Sequence, residues 1–273
     1  MTLRLLNAEF LKLRKRRGLV ISGLVLTVLP MLIAYTTLVV LHANNPVKHD
    51  AAGGMANFSG SMEILMVLSA VAAILVGSTL GTGDLGAGVF RELVVTGRSR
   101  LALFAARVPA GLGLLVLIVG SAFAITAIAS TVFAGSEGPQ REQVAPGAWE
   151  MSPGYLAPSG ALLLKSAGWL ALSTAVAMVL ALGVASLVGS RGTSIGILVG
   201  WWIAAMPILQ AMGVLGSLRQ GIVGAAIDRI GPVPLVPSDP AVSMSVLAAI
   251  AVLVAWAAVP LGIGAWRTVT RDA

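Results

Sequence analysis

The sequence predicts an all-α integral membrane protein with six transmembrane helices and both termini on the cytoplasmic side. Three observations lead there. Of its 273 residues, 57% are hydrophobic and the mean hydropathy is +0.94, more apolar surface than a water-facing exterior tolerates. Long apolar runs recur, and at about 20 residues per span the chain accommodates six spans in one domain with short loops. The lysines and arginines gather at alternate ends of those runs.

In chain order, MTLRLLNAEFLKLRKRRG (residues 1–17 and the glycine that follows) reads as an amphipathic helix. Leu3, Leu6, Phe10 and Leu13 recur at helical spacing, while Arg4, Lys12, Lys15 and Arg16 point largely elsewhere. Such a helix lies in the membrane interface with its basic face towards anionic lipid headgroups. A cleaved signal peptide does not fit, because Leu19–Leu41 is too long for its apolar core and no small-x-small site follows. Leu19–Leu41 is the first span, with Pro30 tolerated inside it. His42–Met62 reads as a polar, glycine-rich loop.

Glu63–Thr82 is the second span, with Gly77 and Gly81 at the GxxxG spacing that lets helices approach closely. Pro109–Phe133 is the third, with helix extending back towards Arg107. Ala134–Ser159 is rich in glycine and proline and reads as an ordered or partly helical external loop. Ala161–Val188 is the fourth span, with Lys165 near enough to its start to reach outwards. The short link Gly189-Ser190-Arg191-Gly192 makes the fourth and fifth spans antiparallel neighbours. The fifth, Thr193–Val214, carries Gly192, Gly196 and Gly200 in register, a surface for helix packing or for a second subunit. Leu215–Ile230 alternates apolar residues with Arg219, Gln220, Asp228 and Arg229, as a short helix at the outer leaflet would. GPVPLVPSDP breaks any helix, and Ala241–Trp266 is the last span.

With the N-terminus inside, 13 of the 18 lysines and arginines fall on the cytoplasmic side. The net charge of +7 therefore reflects anchoring beside anionic lipid and not nucleic-acid binding. There are no cysteines and only two histidines, His42 and His49, both in a loop, too few for a histidine-based metal site. No phosphate loop occurs: the nearest string, GALLLKS at Gly160–Ser166, lacks the glycine before Lys165. No ionisable residue is expected deep in a span, since Glu63 and Asp84 cap opposite ends of the second. That argues against an ion-coupled carrier and leaves no catalytic residue; the chain reads as a non-enzyme.

The charge-bearing stretch is Gly81–Arg107, GTGDLGAGVFRELVVTGRSRLALFAAR. In a chain with 11% charged residues, it reads as the place where a soluble partner grips the membrane protein. The order EFLKLRKRR, span, polar loop, span, then Asp84, Gly88, Arg91, Glu92, Gly97, Ser99, Arg100 and Arg107 resembles the permease subunits of type 2 ABC transporters. Val89 and Arg107 depart from that pattern, where threonine and lysine are common. The resemblance implies that residues 1–17 form the elbow helix. It also implies that the loop 83–107 contains a cytoplasmic coupling helix docking on a nucleotide-binding ATPase subunit through Asp84, Gly88, Arg91, Glu92, Gly97, Arg98, Ser99 and Arg100. ATP and Mg²⁺ would be bound by that partner, with no cofactor on this chain. Two permeases, identical or related, would pair in a bacterial cytoplasmic membrane, with the second and fifth spans lining the route. The expected lining is Met66, Ser69, Leu80, Trp201, Met206 and Gln210, an uncharged set suited to an amphipathic or hydrophobic substrate such as a drug, antibiotic, peptide or lipid-like molecule. A membrane scaffold or sensor that does not transport is the rival reading.

Overall fold

A computed structural model describes residues 3–46, 48–86, 99–135, 141–145, 148–151, 154–232, 235 and 242–270, with backbone alone at 3–4, 84–86, 141–145 and 148–151. Six helices are long and apolar enough to cross a membrane. After helix α1 (Leu3–Lys15), the first three spans are α2 (Arg17–Asn44), α3 (Met55–Gly86) and α4 (Arg100–Val132). The fourth is α5 (Gly160–Val188), and the fifth runs through α6 (Arg191–Gly200), a π turn (Trp201–Ala205) and α7 (Met206–Ala211). A 3₁₀ segment (Gly213–Gly221) and the short α8 (Val223–Ile230) lead to the last span, α9 (Val246–Thr270). By the charge rule, the end that carries α1 is the inner end.

Several boundaries differ from the sequence reading: the fifth span ends at Ala211 and the last runs from Val246 to Thr270, and three further differences have a local cause. The third span begins at Arg100, nine residues before Pro109, because Ser99 caps it: its side chain accepts from the Ala102 N–H. Ser159, Ser190 and Ser245 do the same for α5, α6 and α9, satisfying amide groups that a helix start leaves without partners. The second span begins at Met55, inside the stretch read as polar loop. Its first turn is pinned from outside, with the Gly53 N–H on the Phe133 carbonyl, Gly54 on Ser130 and Met55 on Leu156. Gly54 adopts φ +92° with its Cα against Tyr155, a conformation and a closeness that only glycine tolerates. The external loop contains a small antiparallel hairpin, β1 (Arg141–Ala145) and β2 (Ala148–Met151), pairing Arg141 with Met151 and Gln143 with Trp149. Residues 141–145 and 148–151 are therefore strand and not partial helix.

α3 and α5 form the middle of the subunit and are its most enclosed spans. Gly77 lies on the Met178 carbonyl and Ala181, and an added Cβ at Gly81 would stand 2.7 Å from the Ala185 Cβ and the Leu182 carbonyl. The GxxxG pair of the second span is therefore spent inside the subunit. Gly183 and Gly264 bring α5 equally close to α9 at Pro260. α2, the fifth span and α9 leave most of their surface uncovered, as lipid-facing or partner-facing helices do.

α1 packs differently from a freely floating interfacial helix. Its buried stripe is Leu5, Glu9 and Leu13, sharing Leu13 with the expected set but with Leu5 and Glu9 buried more fully than Leu6 and Phe10. Leu5 joins Leu103 and Ala106 of α4, and the Phe10 ring reaches Gly113. Leu6 and Phe10 pack at the edge of the core.

Candidate coupling region and translocation surface

The inner end of the subunit gathers charge around the expected docking loop. Glu9 is buried although ionisable, and Lys12 Nζ donates to its Oε1 at 2.6 Å. The two share a small recess with Leu13, Arg16, Thr79, Leu80, Gly83 and Arg107. Arg107 is 2% exposed, with its guanidinium 5.8 Å from the centre of the Phe104 ring, an arrangement in which the ring face offsets part of the charge. The Arg16 guanidinium stands 3.0 Å from where a Cβ on Gly83 would be. Arg100, opening α4, donates from Nη1 to the Val269 carbonyl at 3.1 Å, near the end of α9. Four separate parts of the chain, α1, the end of α3, the start of α4 and the end of α9, are thus tied together at one end.

That frame borders the loop which the sequence singles out. Gly88, Arg91, Glu92, Gly97 and Arg98 lie outside the described residues. Asp84 is placed by backbone only, in the last turns of α3, while Ser99 and Arg100 cap and open α4. Among the described residues no group of three or more potential metal ligands occurs.

The expected lining residues fall into two groups. On α3, Met66 is half-buried and its sulfur accepts from Ser173 Oγ at 3.4 Å. Ser69 is fully buried, donating to the Met66 carbonyl, and Leu80 is buried with its Cδ1 against Gly111. Within one subunit Ser69 and Leu80 are core, not an open wall. On the fifth span, Trp201 stacks on Trp256 of α9 at 5.4 Å, and Trp256 Nε1 donates to the Gly221 carbonyl at 2.8 Å. Met206 and Gln210 close over Gly224 of α8, and α8 is held to α5 by Trp169 Nε1 on the Ile227 carbonyl at 2.9 Å. The π turn beneath has a local cause. Pro207 has no N–H and its ring presses on the preceding turn, and the widened turn, with Met206 N–H on the Trp201 carbonyl, relieves it.

The glycine row of the fifth span points the other way. A Cβ at Gly192, Gly196 or Gly200 would meet nothing within 4 Å among the described residues, whereas Ser194 and Leu198 on the opposite side are buried. The row is a smooth, open strip on the subunit's surface.

Two ionisable residues, Glu63 and Arg107, lie further inside their helices than the sequence reading places them, Arg107 because α4 starts seven residues before it. Because α3 starts at Met55, Glu63 sits two turns inside the helix, exposed on its uncovered side. Between the fifth and sixth spans, partial loss of hydration beside the buried stretch Ile222–Ile227 pushes the Asp228 carboxyl up to about 6 from its ordinary 3.8, although the residue itself is exposed.

The family model for the ABC-2 family transporter protein matches residues 5–150. The chain belongs to the ABC-2 transporter family. No curated protein matches it. As an ABC-2 membrane protein it is the multi-pass permease subunit of an ABC transporter. ATP hydrolysis in this family belongs to an ABC ATPase partner and not to the permease. The match covers α1, the first three spans and the charged loop between α3 and α4. The charged loop and the parts of the inner frame on α1, α3 and α4 lie within the family region, and the end of α9 lies outside it. What this ABC-2 permease offers chemically is an inner end where several helices meet beside a loop of charged sequence, and a largely apolar body.

Proposed function

We propose that the chain is one of two permeases that together line the route of an ATP-driven exporter in a bacterial cytoplasmic membrane. It moves an amphipathic or hydrophobic substrate, such as a drug, antibiotic, peptide or lipid-like molecule. A separate nucleotide-binding subunit holds ATP and Mg²⁺. The observation that carries this reading is the inner frame. α1 packs on α4 through Leu5 and Leu103, Arg16 just after α1 stands against Gly83 of α3, and Arg100 of α4 donates to the Val269 carbonyl of α9. In sequence, residues 84–100 connect α3 to α4. A push delivered to such a loop moves several helices as a unit, as transmission of ATP-driven closure through one small contact requires. The charged residues of the loop, Asp84, Arg91, Glu92, Arg98 and Arg100, give the docking its register.

The open glycine strip at Gly192, Gly196 and Gly200 supports the pairing of two permeases, since small residues at that spacing allow close helix contact. The test is reconstitution of the permease with its ATPase in proteoliposomes. Amphiphiles are expected to stimulate ATP hydrolysis and to be moved across the bilayer, and Glu92→Arg is expected to abolish that stimulation while the protein still inserts. A membrane scaffold predicts no nucleotide-dependent movement of any amphiphile, and that result would replace this reading.

A further inference from the structure

We propose that the outer half of α3 holds a recognition site for the positive charge of an amphipathic substrate, with Glu63 as its counter-charge. The inference rests on the export reading above and narrows the substrate from amphipathic to cationic and amphipathic.

α3 is more enclosed than any other span, yet one side of its outer half is uncovered. Gly60, Glu63, Ile64 and Val67 recur there at helical spacing, with Ile64 51% and Val67 44% exposed. Glu63 lies eight residues after Met55, about 12 Å along the helix. The Tyr35 hydroxyl of α2 donates to the carbonyl of Asn57, near the start of α3, so the two lie level. From there α2 continues outwards to Asn44, so Glu63 lies well inside the outer end of the first span. A carboxylate facing hydrocarbon there would be costly, and charged residues within spans face protein, a water-filled cavity or a ligand. Glu63 has no hydrogen bond or ion pair among the described residues. Lys165, the basic residue on α5 nearest its level, forms no ion pair with it. The level follows from the parallel packing of the two helices, with Met66 at Ser173, Gly77 at Met178 and Gly81 at Ala185. At Gly60 a Cβ would meet nothing within 4 Å, so a ligand can lie against the helix one turn above the carboxylate.

The face therefore pairs one acidic group with apolar flanks, which complements a molecule having one cationic centre and a hydrophobic body. A second copy laid symmetrically on the same face would bring carboxylate towards carboxylate, which like-charge repulsion opposes.

The probes are tetraphenylphosphonium and tetraphenylborate, ions of similar shape and opposite charge. Their binding to the purified full chain in nanodiscs of zwitterionic lipid is measured by equilibrium dialysis, with empty nanodiscs subtracted. Wild type is expected to bind the phosphonium more tightly than the borate. Glu63→Gln should weaken phosphonium binding about tenfold and leave borate binding unchanged, while Glu63→Asp keeps the preference. Unchanged thermal unfolding of Glu63→Gln shows that the loss is not one of folding. Equal phosphonium binding by wild type and Glu63→Gln would overturn the proposal, as would a change of oligomeric state in that variant with no change in binding. The assay needs no ATPase, so failure of the export reading and failure of the Glu63 site are told apart.

Discussion

Arg100 and Val269 are 169 residues apart in sequence, and a hydrogen bond of 3.1 Å from guanidinium to carbonyl joins them at the inner end of the subunit. The bond ties the helix that leaves the charged loop to the last turn of the final span. Movement of the loop is thereby delivered to α9 as well as to α4. Arg100→Ala is expected to insert and fold normally, since the pair is exposed and worth little to stability, about 0–1 kcal/mol. It should nonetheless reduce the number of substrates moved per ATP hydrolysed, measured in proteoliposomes. Unaltered coupling would remove α9 from the transmission route.

The two glycine pairs give opposite predictions. Gly77→Ala places a methyl group on the Met178 carbonyl in the middle of the bundle and should cost about 1–3 kcal/mol. Gly196→Ala meets open space and should leave the isolated subunit unchanged or more stable, by about 0.5–1 kcal/mol. If the strip faces a second permease, larger residues at Gly196 will lower the dimer fraction. Thermal unfolding and size-exclusion chromatography separate the two effects.

Trp201 and Trp256 hold the fifth and sixth spans together by offset stacking, with rings 29° apart. A double-mutant cycle to alanine should give a coupling of about 0.5–1.5 kcal/mol. Trp256→Ala should be the costlier single change, because it also frees the Gly221 carbonyl. Zero coupling in unfolding experiments would mean that the stack contributes nothing to stability.

Asp228 sets a pH dependence. Its carboxyl, pushed up to about 6 from 3.8 by desolvation, binds its proton more tightly in the folded chain than in the unfolded one. Stability from this group therefore rises as pH falls through 6 and levels off below about 4. Asp228→Asn should remove that slope and raise the midpoint of unfolding at neutral pH. A slope unchanged by the substitution would assign it to another group.

Span number and approximate position were legible in the sequence because apolar runs of this length have few alternatives to crossing a bilayer. Starting points were less so. Serines at 99, 159, 190 and 245 mark helix starts by capping, a signal overshadowed by the hydrophobic runs behind them. The start of α3 at Met55 depends on hydrogen bonds from Gly53, Gly54 and Met55 to residues that follow 75 or more positions later, which no local pattern reveals. That one boundary moved Glu63 from the start of the helix to two turns inside it. The spacing of Gly77 and Gly81 announced close packing but not the neighbour, and the same spacing at Gly192, Gly196 and Gly200 turned out to face open space. α1 was recognisable as amphipathic, yet its buried side includes Glu9, because Lys12 and the recess around Arg107 keep that charge partnered.

The most direct test of the central claim is affinity purification of the tagged chain in mild detergent from its native host, followed by mass spectrometry. The account predicts that an ABC ATPase copurifies and is released when Glu92→Arg is combined with neutral residues at Arg98 and Arg100. Recovery of the chain alone, or with a partner that is not an ATPase, would contradict it.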